Sequence, residues 1–131
     1  MGLEPGVNRV APSQLDSVLR TAEASGVPAY MLPPGINSRE SFFDAVRSNL
    51  PVDPPLVGSR SWEALSDSLW QGLFATDADM MVIAWRDSGT MTLHAPGDYE
   101  LAIDVLGHVA STLADPRATQ GKPRQLSVYV A

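Results

Sequence analysis

The run DMMVIAW, residues 79–85, constrains the fold of this chain more than any other stretch. A strand with one wet face alternates apolar and polar residues, whereas six consecutive apolar side chains mark a strand buried on both faces. Such a strand requires neighbours and covering helices, and the rest of the chain supplies them. SQLDSVLRTAEASG reads as an amphipathic helix, with Ser13 as N-cap, Leu15, Val18, Leu19 and Ala22 on one face, and Gly26 past its end. VPAYMLPP reads as a short strand stopped by Pro33 and Pro34. NSRESFFDAVRSNL is a second helix, capped by Asn37 or Ser38, with Phe42, Phe43, Val46 and Leu50 as its apolar stripe. The proline-rich PVDPPLVGS connects to a third helix over residues 60–73. A fourth, from about Asp98 to Leu113, presents Leu101, Val105, Leu106 and Val109 at helical spacing, and QLSVYVA alternates like a final strand. Alternating helices and strands give an α/β fold, a small parallel or mixed sheet with helices packed against it. There is no repeat, low-complexity tract or coiled-coil heptad.

With 131 residues, 44% of them apolar, the chain is expected to form one domain over residues 1–131. The absence of cysteine excludes disulfides, thiol nucleophiles and thiolate metal sites. No run of about 18 apolar residues is present to span a membrane, and the amino terminus does not read as a signal peptide, so the expected location is the cytoplasm. The formal net charge is −6 and Lys122 is the only lysine, which argues against a protein that neutralises nucleic-acid phosphates. Eleven acids lie between Glu40 and Asp104 against only three arginines, Arg47, Arg60 and Arg86. That field either steers a cationic partner or serves only as a solvated face.

The stretch SWEALSDSLW, residues 61–70, focuses the question. On a helical wheel Trp62, Leu65, Leu69 and Leu73 share a stripe that should pack on the sheet, while Glu63, Asp67 and Trp70 share another that should face solvent or a partner. Glu63 lies in the first turn after the candidate caps Ser59 and Ser61, where the helix dipole favours an acid. Asp67 lies mid-helix, where a like charge four residues away costs a few tenths of a kcal/mol, about 0.2–0.5. Trp70 either packs on a neighbouring helix or stands exposed beside the acids. An acid–base pair or a ligand set for a hard metal is a further use of two carboxylates at this spacing. Nothing else favours it: His94 and His108 are fourteen apart, with no His-x-x-x-His spacing, phosphate loop or nucleophile elbow.

SWEALSDSLW resembles the helix motif of the barstar-like family, intracellular inhibitors of barnase-type secreted ribonucleases, in which an acid-Ala-Leu-x-Asp-x-Leu pattern follows a loop glycine. The matching positions are Gly58, then Glu63, Ala64, Leu65, Asp67 and Leu69. The earlier strand with its Phe-containing helix, MVIAWRD with Trp85 and Arg86, and the late helix leading into LSVYVA fall in the family's order. The likeness covers about residues 29–130, leaving the helix near 12–26 as an N-terminal extension. The resemblance implies a three-stranded parallel sheet with about four helices, and no enzyme activity, cofactor or metal. It implies a protein monomeric when free, whose partner is a basic secreted ribonuclease or nuclease toxin; the alternative is a module of the same fold that binds a non-ribonuclease toxin or a regulatory partner. Neither nucleic acid nor membrane is an expected partner. Asp67 takes the place of the principal inhibitory aspartate and Glu63 that of its companion, both standing in for RNA phosphate against the enzyme's cations. Around them the expected partner surface comprises Leu56, Val57, Gly58, Arg60, Ser61, Ser66 and Trp70. Leu56 and Val57 replace a tyrosine pair common in relatives, Ser61 replaces asparagine, and Ser66 replaces tryptophan. The loop from Gly58 to Glu63 is one residue longer, and the acid that barstar contributes from its later helix falls near His108, so that contact is expected to be missing.

Overall fold

The computed structural model describes residues 3–56 and 61–131. Among these, four strands and five helices follow in the order β1 (Gly6–Arg9), α1 (Pro12–Ala24), β2 (Ala29–Leu32), α2 (Arg39–Asn49), α3 (Trp62–Ala75), β3 (Met80–Trp85), α4 (Ser88–His94), α5 (Pro96–Leu113) and β4 (Gln125–Val130). The strands form one parallel sheet in the order β1-β4-β3-β2. The expected three strands and four helices are therefore too few by one each. β1 is only GVNR, too short and polar to signal a strand. Its pairing with β4, Gly6 opposite Ser127 through Arg9 opposite Val130, makes it one. α4, SGTMTLH, also lacks an apolar period, and is held by the wholly buried Met91 and by Ser88, whose N–H and Oγ–H both donate to the Ala131 carbonyl.

Alternation along the central strands sorts the helices into two layers. Met81, Ile83 and Trp85 of β3 and Leu126, Val128 and Val130 of β4 point into the larger core, with Phe42, Phe43 and Val46 of α2, Leu65, Leu69 and Leu73 of α3, and Leu106 and Val109 of α5. Val82, Ala84 and Tyr129 point the other way, onto Leu15 and Ala22 of α1 and its half-buried Val18 and Leu19. The unbroken MMVIAW run is thus explained, since helices cover both of its faces.

Local signals set most helix boundaries. Ser38 caps α2, its Oγ accepting the Ser41 N–H at 3.1 Å. Ser61 caps α3, accepting the Ala64 N–H at 3.4 Å, and this helix runs Trp62–Ala75 instead of 60–73. Ser13 is not the cap of α1: the helix begins at Pro12 after Ala11, whose N–H donates to Gln14 Oε1 at 2.8 Å. Proline fits the first helical position because it has no N–H to leave unbonded.

Candidate functional site

The start of α3 is held in place by its neighbours. Trp62 wedges between Phe42 and Phe43 of α2, with ring centroids 5.8 and 5.0 Å away, and the Arg39 guanidinium lies 5.6 Å above it. Phe42 in turn meets Trp85 at 5.3 Å, so an aromatic column links the helix to the central strand. The segment before α3 is tied down on both sides. The Asp53 N–H donates to the Ser68 carbonyl at 2.9 Å, and Arg47 Nε donates to the Leu56 carbonyl. Leu56, expected at the partner surface, is 2% exposed and belongs to the core, so it anchors this segment and offers no contact area. Val57, Gly58 and Arg60 of the expected surface, and the alternative cap Ser59, lie outside the described residues.

Leu65, Leu69 and Leu73 are wholly buried, and Glu63 and Asp67 are exposed, as the wheel places them. The two acids line an open groove of about 390 Å³ between α3 and α5. Trp62 and Ser66 from α3, and Leu101, Asp104, Val105 and His108 from α5, complete its lining. The residues 101, 104, 105 and 108 follow the spacing of one helical stripe. The four apolar residues at helical spacing divide: Leu101 is 44% exposed and Val105 half-buried, while Leu106 and Val109, with Ala102, face the sheet. Asp104, one turn before His108, brings a third carboxylate into the groove. No local signal in the sequence joins Asp104 to Glu63 and Asp67, because only the packing of α3 on α5 brings them into one groove.

Trp70 leaves this arrangement. It stacks on Phe74 at 5.1 Å and 18° and is half-buried against the core, and Arg124 lies 5.0 Å over the other member of the stack, Phe74. Arg124 itself pairs with Asp77 at 2.9 Å and Asp79 at 3.7 Å, so Trp70 belongs to a structural stack at the far end of α3.

The groove acids are not among the carboxylates that arginines hold. Asp16, Asp44, Asp77 and Asp79 pair with arginines, whereas Glu63, Asp67 and Asp104 make no hydrogen bond or ion pair among the described residues. No three His, Cys, Asp or Glu side chains among the described residues are grouped to hold a metal ion. Its apolar members, Trp62, Leu101 and Val105, suit the aliphatic stems of long cationic side chains. No helix among the described residues is long and apolar enough to cross a membrane.

Fold and site together define a parallel α/β protein that presents unpaired carboxylates on a pair of packed helices. The chain belongs to the barstar family: the family model described as Barstar (barnase inhibitor) matches residues 32–129. Neither the search of curated proteins nor that of solved structures gave a match. The match begins at the end of β2, so β1 and α1 precede it.

Proposed function

We propose that this protein inhibits a basic ribonuclease by laying the α3–α5 groove, with the segment entering α3, over the enzyme's active site. The observation that carries this reading is the set of three unpaired carboxylates, from two helices, along an apolar-lined groove in a chain of the barstar family. Asp67, at the centre of α3, is the principal contact and Glu63 its companion, with Asp104 facing them from α5. Carboxylates in these positions take the place of RNA phosphates and accept charge-assisted, often bidentate hydrogen bonds from arginine and lysine. Ser66 lines the groove beside them, and Ser61 caps the helix that carries Glu63 and Asp67. A complex of this kind protects the cytoplasm of the cell that makes the enzyme, in the manner of an immunity protein, and requires no cofactor or catalytic group of the inhibitor's own.

Titration of the protein into barnase-type ribonucleases tests this directly, with residual RNA cleavage as the readout. The wild type should inhibit one such enzyme stoichiometrically. Truncating a desolvated charge at an interface costs upward of about 2 kcal/mol, a rule for which barnase and barstar are themselves a standard example. Asp67→Ala should therefore raise the inhibition constant about thirtyfold or more. Because Asp67 is exposed and unpaired, the same variant should unfold within about 0.5 kcal/mol of wild type. Undiminished inhibition by Asp67→Ala would reject the mechanism.

A further inference from the structure

One ionisable member of the groove opposes the rest. His108 is exposed, lies four residues after Asp104 on the same stripe of α5, and its imidazole makes no hydrogen bond or ion pair among the described residues. Side chains four apart on a helix have Cβ atoms about 5–6 Å from one another. The titratable groups that share the groove with it are Glu63 and Asp67 from α3 and Asp104 from its own helix. β1, β4, α2 and α4 also pack against α5, yet none of their charged residues among those described lines the groove.

We infer that His108 sets the groove's selectivity for cations: neutral, it leaves three carboxylates open to a partner's arginine or lysine; protonated, it is a built-in cation that competes with that partner. This rests on the reading of the groove as the docking surface. Histidine ordinarily changes charge between pH 5 and 8, a range in which exposed carboxylates stay ionised and arginine stays protonated. The sign follows: cation binding weakens as pH falls through that range. An Asp–His⁺ pair at this spacing on an exposed helix is worth at most about 1 kcal/mol, which converts to about fivefold in affinity.

An end-capped octa-arginine peptide, which has no group titrating in this window, serves as the probe in calorimetric or fluorescence titrations at pH 8.0 and pH 5.5. The expected result is an affinity about fivefold weaker at pH 5.5 for wild type and for His94→Gln, but unchanged with pH for His108→Gln. Asp104→Asn should weaken binding at pH 8.0, which locates the peptide in the groove. An equal pH dependence in His108→Gln, a flat wild-type profile, or no binding at pH 8.0 would each overturn the inference. Failure here is separable from failure of the proposed function. Asp67-dependent ribonuclease inhibition with no effect of His108→Gln on its pH profile would leave the inhibitor reading standing and remove this one. The expected peptide series with no ribonuclease inhibited would do the reverse.

Discussion

Gly72 shows how one residue controls the approach to the site. A Cβ added at this position in α3 would run into the backbone of Pro51 and Val52, where the segment leading to residue 56 crosses the helix. Its φ is not in the left-handed region, so closeness of approach, and not conformational freedom, requires glycine here. Because the obstructing atoms are backbone, Gly72→Ala should destabilise the protein by about 1–3 kcal/mol, as overpacking generally does, despite alanine's better helix propensity. A fall in the urea midpoint at unchanged m-value would show it. The same backbone leads to Leu56 and its bond from Arg47, so the variant should also weaken inhibition. The exposure of Glu63 and Asp67 was legible at this scale because it depends only on helical spacing. Leu56 was not, since nothing local distinguishes an apolar residue in a core from one on a rim.

At the scale of elements, the turns at the carboxyl ends of β2 and β3 are joined by Asp87. Its carboxylate accepts the Gly35 N–H at 2.8 Å and the Thr90 hydroxyl at 2.8 Å, and these bonds hold its pKa below the usual carboxylate range. A carboxyl whose folded pKa is depressed binds fewer protons folded than unfolded. Its contribution to stability is full above the ordinary value near 4 and is lost as pH falls through the lower folded value. Wild type should therefore lose stability between about pH 5 and pH 2. Asp87→Asn should be less stable at neutral pH and show a shallower acid decline, measured by urea denaturation across that range. The helix pair behaves differently from the turns. The burial of Leu106 and Val109 against the sheet turns Asp104 and Leu101 toward α3, and the groove exists only because α3 and α5 pack side by side.

For the whole molecule, the net charge of −6 and the acids concentrated in its middle make a field that favours approach of a basic partner. The association rate with an inhibited ribonuclease should fall about tenfold or more as ionic strength rises from about 0.01 M to 0.15 M, over which the Debye length shrinks from about 30 to 8 Å. Stopped-flow mixing at several salt concentrations checks this. The β1–α1 unit, outside the family match, covers Val82, Ala84 and Tyr129 and pairs with the outer edge of β4. Buried aliphatic side chains contribute about 1.5–3 kcal/mol each, so removing the residues before Val27 should cost several kcal/mol. Increased binding of a hydrophobic dye and a lower urea midpoint would report the uncovered face, while a truncated chain as stable as the whole would contradict this role.

By itself the sequence determined whatever depends on residues near one another in the chain. The periods of the four long helices, the doubly buried run 80–85, the narrowing of the α2 cap to Asn37 or Ser38 and of the α3 cap to Ser59 or Ser61, and the outward stripe of Glu63 and Asp67 all follow from steric and dipolar preferences acting within a few residues. Tertiary structure decided what depends on distant segments meeting. GVNR becomes a strand only because β4 offers it an edge, and Leu56 is drawn into the core by α2 and α3. Trp70 turns to Phe74, and Asp104 and His108 enter the acidic groove only because burial of their helix's opposite face leaves them there. Electrostatics and packing act through space, so the two acids of α3 could be read from their own helix, but the third carboxylate and the histidine opposite them could not.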